Sequence, residues 1–379
     1  MRVLIACGGT GGHLLPGLAV AETLLARRHQ VQLLVSEKAV DHDALDVLTA
    51  DFDHSQLTVK TISAIGYAGA GQFVSFCSHL AKATRDCAAM CREYRPDAVL
   101  GMGGFTSAPA VWAGQWKRRG PVTLIHESNA IPGKANRWAG CFADHVAVGL
   151  ADCARFFGRK PVTVTGTPIR SGLRAGRVAG AHERLGLESD RLTVLVMGGS
   201  QGAHAINETM ACTLPWLDGW NEDTQFVHLA GKKDEDFVRD AYAKNGFSAK
   251  VMGFCNEMEL AYSAADLVIA RAGAATLTEI AAFGLPAILI PYPQATGNHQ
   301  VLNARVFERA GAARIVEQRQ LTGMHALAGE RLSEELHGLL EHEGTRQAMS
   351  EAARKLAVTD AHERIASLLE GYADKTTVN

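Results

Sequence analysis

Long apolar runs are missing from this chain of 379 residues. No stretch approaches the roughly 18–20 apolar residues that a membrane-crossing helix needs. The short run Val3–Cys7 passes directly into glycines, which is not a leader-peptide pattern. An excess of one charge is missing too. With 38 basic residues against 40 acidic ones, the net charge is −2, so no nucleic-acid partner is expected. There is no Cys-x-x-Cys pair. The eight cysteines are scattered at positions 7, 77, 87, 91, 141, 153, 212 and 255, which disfavours zinc and suggests free thiols in a reducing, cytosolic compartment. Nicotinamide and ATP signatures also fail. A Gly-x-Gly-x-x-Gly pattern started at Gly9 ends on Leu14, and neither Gly133-Lys134-Ala135 nor Gly231-Lys232-Lys233 completes a phosphate loop.

What the chain does have is apolar residues, 47% of it, and strand and helix signals that alternate. The length implies two domains or three. Two apolar runs, Arg2–Cys7 and Leu192–Met197, read as buried parallel strands. Each runs into a glycine-rich turn, Gly8-Gly-Thr-Gly-Gly-His13 and Gly198-Gly-Ser-Gln-Gly-Ala203, and each turn opens a helix. Glycines let backbone N–H groups approach a ligand at the positive end of a helix. The pattern predicts an α/β fold with two Rossmann-like domains, their parallel sheets facing across a cleft. Further strands are read near 31–35, 98–102, 122–125, 145–148 and 162–165 in the first half. In the second half they fall near 225–229, 249–252, 266–270 and 287–290. Helices are read at 16–28, 73–93, 107–119 and 134–142, and 36–70 stays unassigned. Gly166-Thr-Pro-Ile-Arg170 breaks the alternation. The boundary is placed there, giving domains 1–168 and 169–357, with a final helix from 358 crossing back to the first.

Four glycines in the first turn exceed what turning requires, so the loop is read as shaped around a polar ligand. His13 is the candidate general base, since imidazole titrates near neutrality; the alternative is a histidine that only caps the helix. Ser200 and its loop suit a phosphate oxygen. Arg271-Ala-Gly-Ala-Ala-Thr-Leu-Thr-Glu279 forms another anion-ready helix start. There Glu279 is open to two readings, as partner of Thr276 in a capping box or as a carboxylate for two ribose hydroxyls. The amides of Asn298-His-Gln-Val-Leu-Asn303 suit sugar hydroxyls. His126-Glu-Ser-Asn129 and Gly103-Gly-Phe-Thr-Ser107 stand where parallel sheets bind ligands. Asp-x-Asp triplets at 41–43, 51–53 and 234–236 are not read as metal ligands, the last being a solvated helix face. Phe73, Phe76 and Leu80, with Trp112, Trp116 and Lys117-Arg-Arg119, form an apolar stripe with a basic edge. It is either core or a surface that docks on anionic lipid.

In this order the motifs resemble the MurG family, peripheral membrane enzymes that add N-acetylglucosamine to the lipid-linked muramyl-pentapeptide precursor of peptidoglycan. The resemblance runs over nearly the whole chain and implies the GT-B fold. It implies UDP-GlcNAc as donor, undecaprenyl-pyrophosphoryl-MurNAc-pentapeptide as acceptor, and a peripheral location on an anionic membrane surface, the cytoplasmic face of the cell membrane. Carried over residue by residue, it places Thr10, Gly11, Gly12 and His13 at the junction of donor and acceptor, and Asn129 on the donor sugar. Arg170 and Ser200 fall on the diphosphate side, with the backbone of Cys255, beside Phe254, on uracil. Ala274, Ala275, Thr276, Leu277, Thr278 and Glu279 would hold diphosphate and ribose, Glu279 the ribose, and Gln300 the GlcNAc hydroxyls. Two positions depart from the usual family residues: Cys255, where an aliphatic side chain is frequent, and Ser128, where glutamine is common. Inversion from an α-linked donor to a β-linked product implies one displacement step. His13 would take the proton of the acceptor C4 hydroxyl, and no cofactor or metal would be obligatory, because helix starts and Arg170 stabilise departing UDP. A hinge is expected near 166–171. Two other readings share the architecture: a UDP-GlcNAc 2-epimerase-like isomerase, and a non-catalytic sugar-nucleotide-binding subunit.

Overall fold

A computed structural model describes residues 1–8, 11–37, 55–62, 73–115, 120–174, 176–199, 202–318 and 325–377. The chain divides into two units, residues 1–170 with 358–379, and residues 171–357.

In the first unit the strands are β1 (Arg2–Ala6), β2 (Gln30–Ser36), β3 (Leu57–Ile62), β4 (Ala98–Gly101), β5 (Val122–Glu127), β6 (His145–Val148) and β7 (Val162–Val164). They form one sheet in the order β3-β2-β1-β4-β5-β6-β7, and every pairing is parallel. The helices between them are α1 (Gly11–Ala26), α2 (Phe73–Tyr94), α3 (Ser107–Gln115) and α4 (Lys134–Phe142). The runs Val3–Cys7 and Val31–Val35 are fully buried, as strands covered on both faces must be. On α2, Ala83, Cys87 and Cys91 recur at helical spacing and face the core. Burial pushes the Cys87 thiol well up, so it packs as a small apolar group.

The second unit repeats the plan. Its helices are α5 (Ser171–Arg174), α6 (Ala181–Leu185), α7 (His204–Thr213), α8 (Glu235–Lys244), α9 (Met258–Ala264), α10 (Ala274–Phe283), α11 (His299–Arg309), α12 (His325–Leu340) and α13 (Glu343–Leu356). Its strands are β8 (Leu192–Met197), β9 (Thr224–Leu229), β10 (Ser248–Met252), β11 (Leu267–Ala270), β12 (Ala287–Leu289) and β13 (Ala313–Ile315), ordered β10-β9-β8-β11-β12-β13, again all parallel. The last helix, α14 (Ala361–Thr377), belongs to the first unit, where Ile365, Ala366 and Leu369 enter the core beside α1.

Helix α1 and strands β3 and β13 depart from the sequence reading. Helix α1 starts at Gly11, before Pro16, so the proline lies inside the helix. Pro16 has no N–H and leaves the Gly12 carbonyl without its helical donor, which is tolerable this close to the helix start. β3 lies in the unassigned stretch because four of its six residues are exposed, so it lacks the apolar run of a central strand. β13 is too short to carry a pattern.

Gly166 ends the strand-rich part of the first unit with φ +76°, and a Cβ there would come within 2.5 Å of the Val358 side chain. Its carbonyl also accepts the His126 Nε2 proton at 2.9 Å. Gly166→Ala is therefore expected to destabilise the first unit by about 1–3 kcal/mol, read as a lower urea midpoint for its unfolding.

Candidate functional site

In both sheets the strand order reverses between the first strand and the fourth. Connections leave those two strands on opposite faces, and a crevice opens at their carboxyl ends. In the first unit these ends are the turns after β1 and β4. They are stitched together. Met102 N donates to Ala6 O at 2.8 Å, Ser107 Oγ to the same carbonyl at 3.1 Å, and Thr106 Oγ1 to Gly8 O at 3.1 Å.

His13 lies in the first turn of α1, and its ring packs on the Gly103–Gly104 backbone. A Cβ built on Gly103 would come within 2.7 Å of His13 Cδ2 and 2.8 Å of Nε2. One on Gly104 would lie 3.3 Å from Nδ1 and 3.3 Å from Gly8 O. Both glycines have positive φ, +114° and +75°. Only glycine lets this turn close over the imidazole.

Next to this turn is the end of β5, which extends through His126 and Glu127, two residues beyond the sequence reading. His126 is fully buried and donates from Nε2 to Gly166 O. Burial lowers its pKa, against the raising effects of the Gly166 carbonyl and Glu127, so it is a neutral structural imidazole. Glu127 is also buried, and its carboxylate accepts four N–H bonds. Oε1 receives Asn129 N and Nδ2, both at 2.9 Å; Oε2 receives Gly133 N at 3.0 Å and Asn136 Nδ2 at 2.9 Å. The carboxylate thus sits at the start of α4, where the helix dipole favours negative charge. Asn129 is held at the strand end through it. Arg170 closes the first unit, and its Nε is buried without a hydrogen-bond partner among the described residues.

In the second unit the loop after β11 leads into α10. Gly273 is the N-cap, and no side chain caps the helix. Thr276 is therefore inside the helix, which removes the capping-box reading of Glu279. The Glu279 carboxylate lies one turn further in and accepts the Tyr262 hydroxyl at 2.7 Å. Tyr262 is fully buried and stacks on Phe283 at 5.2 Å. Ala274, Ala275, Thr276 and Thr278 are half-buried along the same helix, and Leu277 points into the core. Thr278 Oγ1 bonds back to Ala274 O. Arg271 donates to Ile290 O at 3.0 Å and lies over the Tyr292 ring, and Asn303 Nδ2 donates to Ala272 O at 3.1 Å. These bonds tie the loop after β11 to the loop after β12. Gln300, in the first turn of α11, accepts from Tyr292 N of that second loop at 2.9 Å through Oε1. Cys255 is half-buried beyond the end of β10, beside an exposed Phe254.

A polar chain runs under the turn after β8. His228 donates or accepts at both nitrogens, to Tyr242 OH at 3.1 Å and to Asn207 Oδ1 at 3.0 Å. Asn207 Nδ2 donates to Ala230 O and Asp234 Oδ2, and His204 Nδ1 meets Asp234 at 2.9 Å. Burial holds the His228 pKa down at about 3, so it stays neutral, while the Asp234 hydrogen bond raises that of His204. Asp234 precedes α8 and braces this turn; it does not belong to the solvated face that its triplet suggested. Glu235 and Asp236 do lie on that face, paired with Arg239.

Thr10 and Ser200 lie outside the described residues, as do the Asp-x-Asp triplets at 41–43 and 51–53, segment 116–119 and the side chains of Phe73 and Phe76. Gly11 and Gly12 open α1. Among the described residues no group of three His, Cys, Asp or Glu side chains is placed to hold a metal, and no helix is long and apolar enough to cross a membrane. Sequence reasoning missed Asn136 as a partner of Glu127 and Tyr262 as the partner of Glu279. The available signal was a polar residue on the buried face of α4, too common a feature to single out.

Comparison with known proteins accords with this geometry. Residues 3–148 match the glycosyltransferase family 28 N-terminal domain and residues 193–365 the family's C-terminal domain. The chain is 38% identical to the UDP-N-acetylglucosamine--N-acetylmuramyl-(pentapeptide) pyrophosphoryl-undecaprenol N-acetylglucosamine transferase of Syntrophus aciditrophicus, over 94% of each protein. It is 36% identical to the protein of the same name from Citrifermentans bemidjiense, over 97% of this chain and 99% of that one. Among solved structures, MurG of Acinetobacter baumannii superimposes with a TM-score of 0.76 at 28% identity, over 98% of this chain and 99% of that one. A UDP-N-acetylglucosamine 2-epimerase from Listeria monocytogenes reaches a TM-score of 0.70 at 16% identity, which shows the shared fold alone. With both domain models matched and relatives aligned almost end to end, the chain belongs to glycosyltransferase family 28, in its MurG family, with the GT-B fold.

Proposed function

We propose that His13 is the base, and the second unit the donor holder, in a single-step inverting transfer. The chain is a UDP-GlcNAc-dependent glycosyltransferase of peptidoglycan synthesis, converting lipid I to lipid II. GlcNAc moves from UDP-GlcNAc to the C4 hydroxyl of the undecaprenyl-pyrophosphoryl-MurNAc-pentapeptide. The observation that carries the residue assignment is the imidazole of His13 enclosed by Gly103 and Gly104 at the first unit's switch point.

The C4 oxygen attacks the anomeric carbon from the face opposite UDP, as His13 removes its proton. The bond between the anomeric carbon and the phosphate oxygen breaks, and UDP leaves with the electron pair. Negative charge grows on the diphosphate, where the N–H groups opening α10 at Ala274, Ala275 and Thr276 stabilise it, aided by Arg170 and Ser200. Glu279, oriented by Tyr262, accepts the ribose hydroxyls, and Leu277 and Thr278 keep the helix packed beneath it. Backbone groups of Cys255 read the uracil edge beside Phe254. Gln300, with its oxygen engaged by Tyr292 N, turns its NH₂ to a GlcNAc hydroxyl, and Asn129 contacts the same sugar. Thr10, Gly11 and Gly12 are assigned to binding the reacting sugars.

His13→Ala is expected to lower kcat by about 10²–10⁴-fold with unchanged calorimetric affinity for UDP-GlcNAc. Undiminished turnover removes His13 from the base role. Glu279→Ala should weaken UDP about 10–100-fold, the value of a hydrogen bond to a charged group; unaltered affinity removes it from the ribose. UDP release in both wild type and variants must depend on the lipid acceptor, which an epimerase would not need.

For a lipid-borne acceptor, the proposed location is peripheral, on the anionic cytoplasmic face of the cell membrane. Helix α4 supports this. Trp138 is 57% and Phe142 54% exposed, one turn apart, with Lys134 and Arg137 exposed on the same helix. Phe142 packs edge-on against Trp112 at 5.8 Å. Aromatic and basic groups together suit a headgroup layer. Trp138→Ser with Phe142→Ser is expected to reduce sedimentation with phosphatidylglycerol-containing vesicles at least about tenfold, with kcat on a detergent-dispersed short-chain acceptor preserved.

A further inference from the structure

The second glycine turn, after β8, rests on the end of β9. Gly202 has φ +75°, and a Cβ there would come within 2.3 Å of Ala230 O and 2.9 Å of Gly231 Cα. The two ends of the turn also meet, since a Cβ on Gly198 would lie 2.3 Å from that of Ala203. Only glycine lets these backbones come so close. The turn delivers the chain into α7, whose N-cap, Ala203, supplies no side-chain cap.

The carbonyl beneath Gly202 has a second partner. Asn207 Nδ2 donates to Ala230 O and to Asp234 Oδ2, both at 2.8 Å. Both amide protons are thereby used, which fixes the other end of the amide as the oxygen. That assignment orders every proton in the chain of groups behind it. Asn207 Oδ1 accepts from His228 Nε2 at 3.0 Å, so Nε2 carries the imidazole proton. His228 Nδ1 is then an acceptor and takes the Tyr242 hydroxyl proton at 3.1 Å. His228 is fully buried and stays neutral, so it has one ring proton to give. At the outer end, partly exposed Asp234 also accepts from His204 Nδ1 at 2.9 Å. Asn207 itself is 1% exposed, and its backbone N donates to Ala203 O at 3.0 Å. One buried amide thus ties the start of α7 to the end of β9 and to the N-cap of α8.

We infer that Asn207, its amide oriented by His228 and Tyr242, is a positioning residue for the donor's diphosphate: it holds the second glycine turn on the Ala230 carbonyl, so that the turn is set before the donor arrives. The inference rests on the reading that the turn carrying Ser200 serves the diphosphate. A turn already in place spends no ordering entropy when the anion binds, and its dipoles need no reorganisation as charge builds on departing UDP. Without Asn207 the Ala230 carbonyl, Asp234 and His228 each lose a partner, and the turn loses its fixed seat. The uridine end of the donor is assigned to other loops, at Cys255 and Glu279, so the effect is confined to the phosphates.

Three measurements on the full-length enzyme test the inference. ¹⁵N NMR of histidine-labelled protein at neutral pH should show His228 as the Nε2–H tautomer. A ring in the Nδ1–H form reverses the proton order and overturns the inference. Asn207→Ala should weaken UDP about 10–100-fold by calorimetry, with uridine affinity by NMR titration within about twofold of wild type. Equal losses for UDP and uridine assign Asn207 a purely structural role, and unaltered UDP affinity removes it from the turn; either overturns the inference. Combining Asn207→Ala with Ser200→Ala should cost less than the product of the two single losses, because one residue acts through the turn that carries the other. Losses that multiply in full overturn it. If Asn207→Ala does not fold, Gly202→Ala carries the same UDP and uridine comparison, since it lifts the turn off Ala230 and leaves the amide network whole. Failure of the underlying reading is separately visible, because Ser200→Ala alone would then keep full UDP affinity.

Discussion

A sheet whose strand order reverses between two neighbours leaves their carboxyl ends uncovered, and each unit of this chain builds its polar groups around that gap. Between β1 and β4 the backbone is bonded across the gap by Met102, Thr106 and Ser107, so the two turns move as one piece. His13 then has a fixed wall to lie on. Between β8 and β11 the same opening is braced from below by the His228–Asn207–Asp234 chain and from the side by Arg271 and Asn303. A neutral histidine suits that support, since its state does not change across the physiological range.

The two units use this opening differently. The second offers helix starts and N–H groups, with a single carboxylate, Glu279, that is steered by a buried tyrosine hydroxyl. That combination favours an anion with a diol attached to it. The first offers an imidazole laid against a glycine turn and, at the next strand end, a carboxylate wrapped in N–H donors. The two units share one architecture, and the divergence lies in the side chains at the strand ends.

Much of this was legible in the residues. The central strands announced themselves because parallel strands covered on both faces must be continuously apolar, as Val3–Cys7 and Leu192–Met197 are. Edge strands β3 and β13 escaped because half-exposed or very short strands carry no such run. The glycine-rich turns were visible, but the start of α1 was misplaced at Pro16, since a proline usually marks the first helical turn and here lies deeper. The pair Thr276 and Glu279 fits a capping box by spacing, and only the position of the N-cap at Gly273 excludes it. Asp234 read as one charge among several on a helix, and its bonds to His204 and Asn207 depend on a loop brought in from another strand. Trp138 and Phe142 were passed over because α4 reads as an ordinary covering helix until its outer face is seen to be bare.

The return of α14 to the first unit bears on how the molecule is made. Ile365, Ala366 and Leu369 fill the core next to α1, while Arg27 is paired with Glu363 and Glu370, and Tyr372 OH meets His145 Nδ1 at 2.7 Å. During synthesis the sheet from β1 to β7 emerges first but lacks this cover, and the entire second unit must leave the ribosome before the missing helix does. The amino-terminal half therefore waits with an apolar strip beside α1 open to solvent. Its cover comes from a helix that lies beyond both sheets in the sequence, so the first unit is completed only after the second has been made.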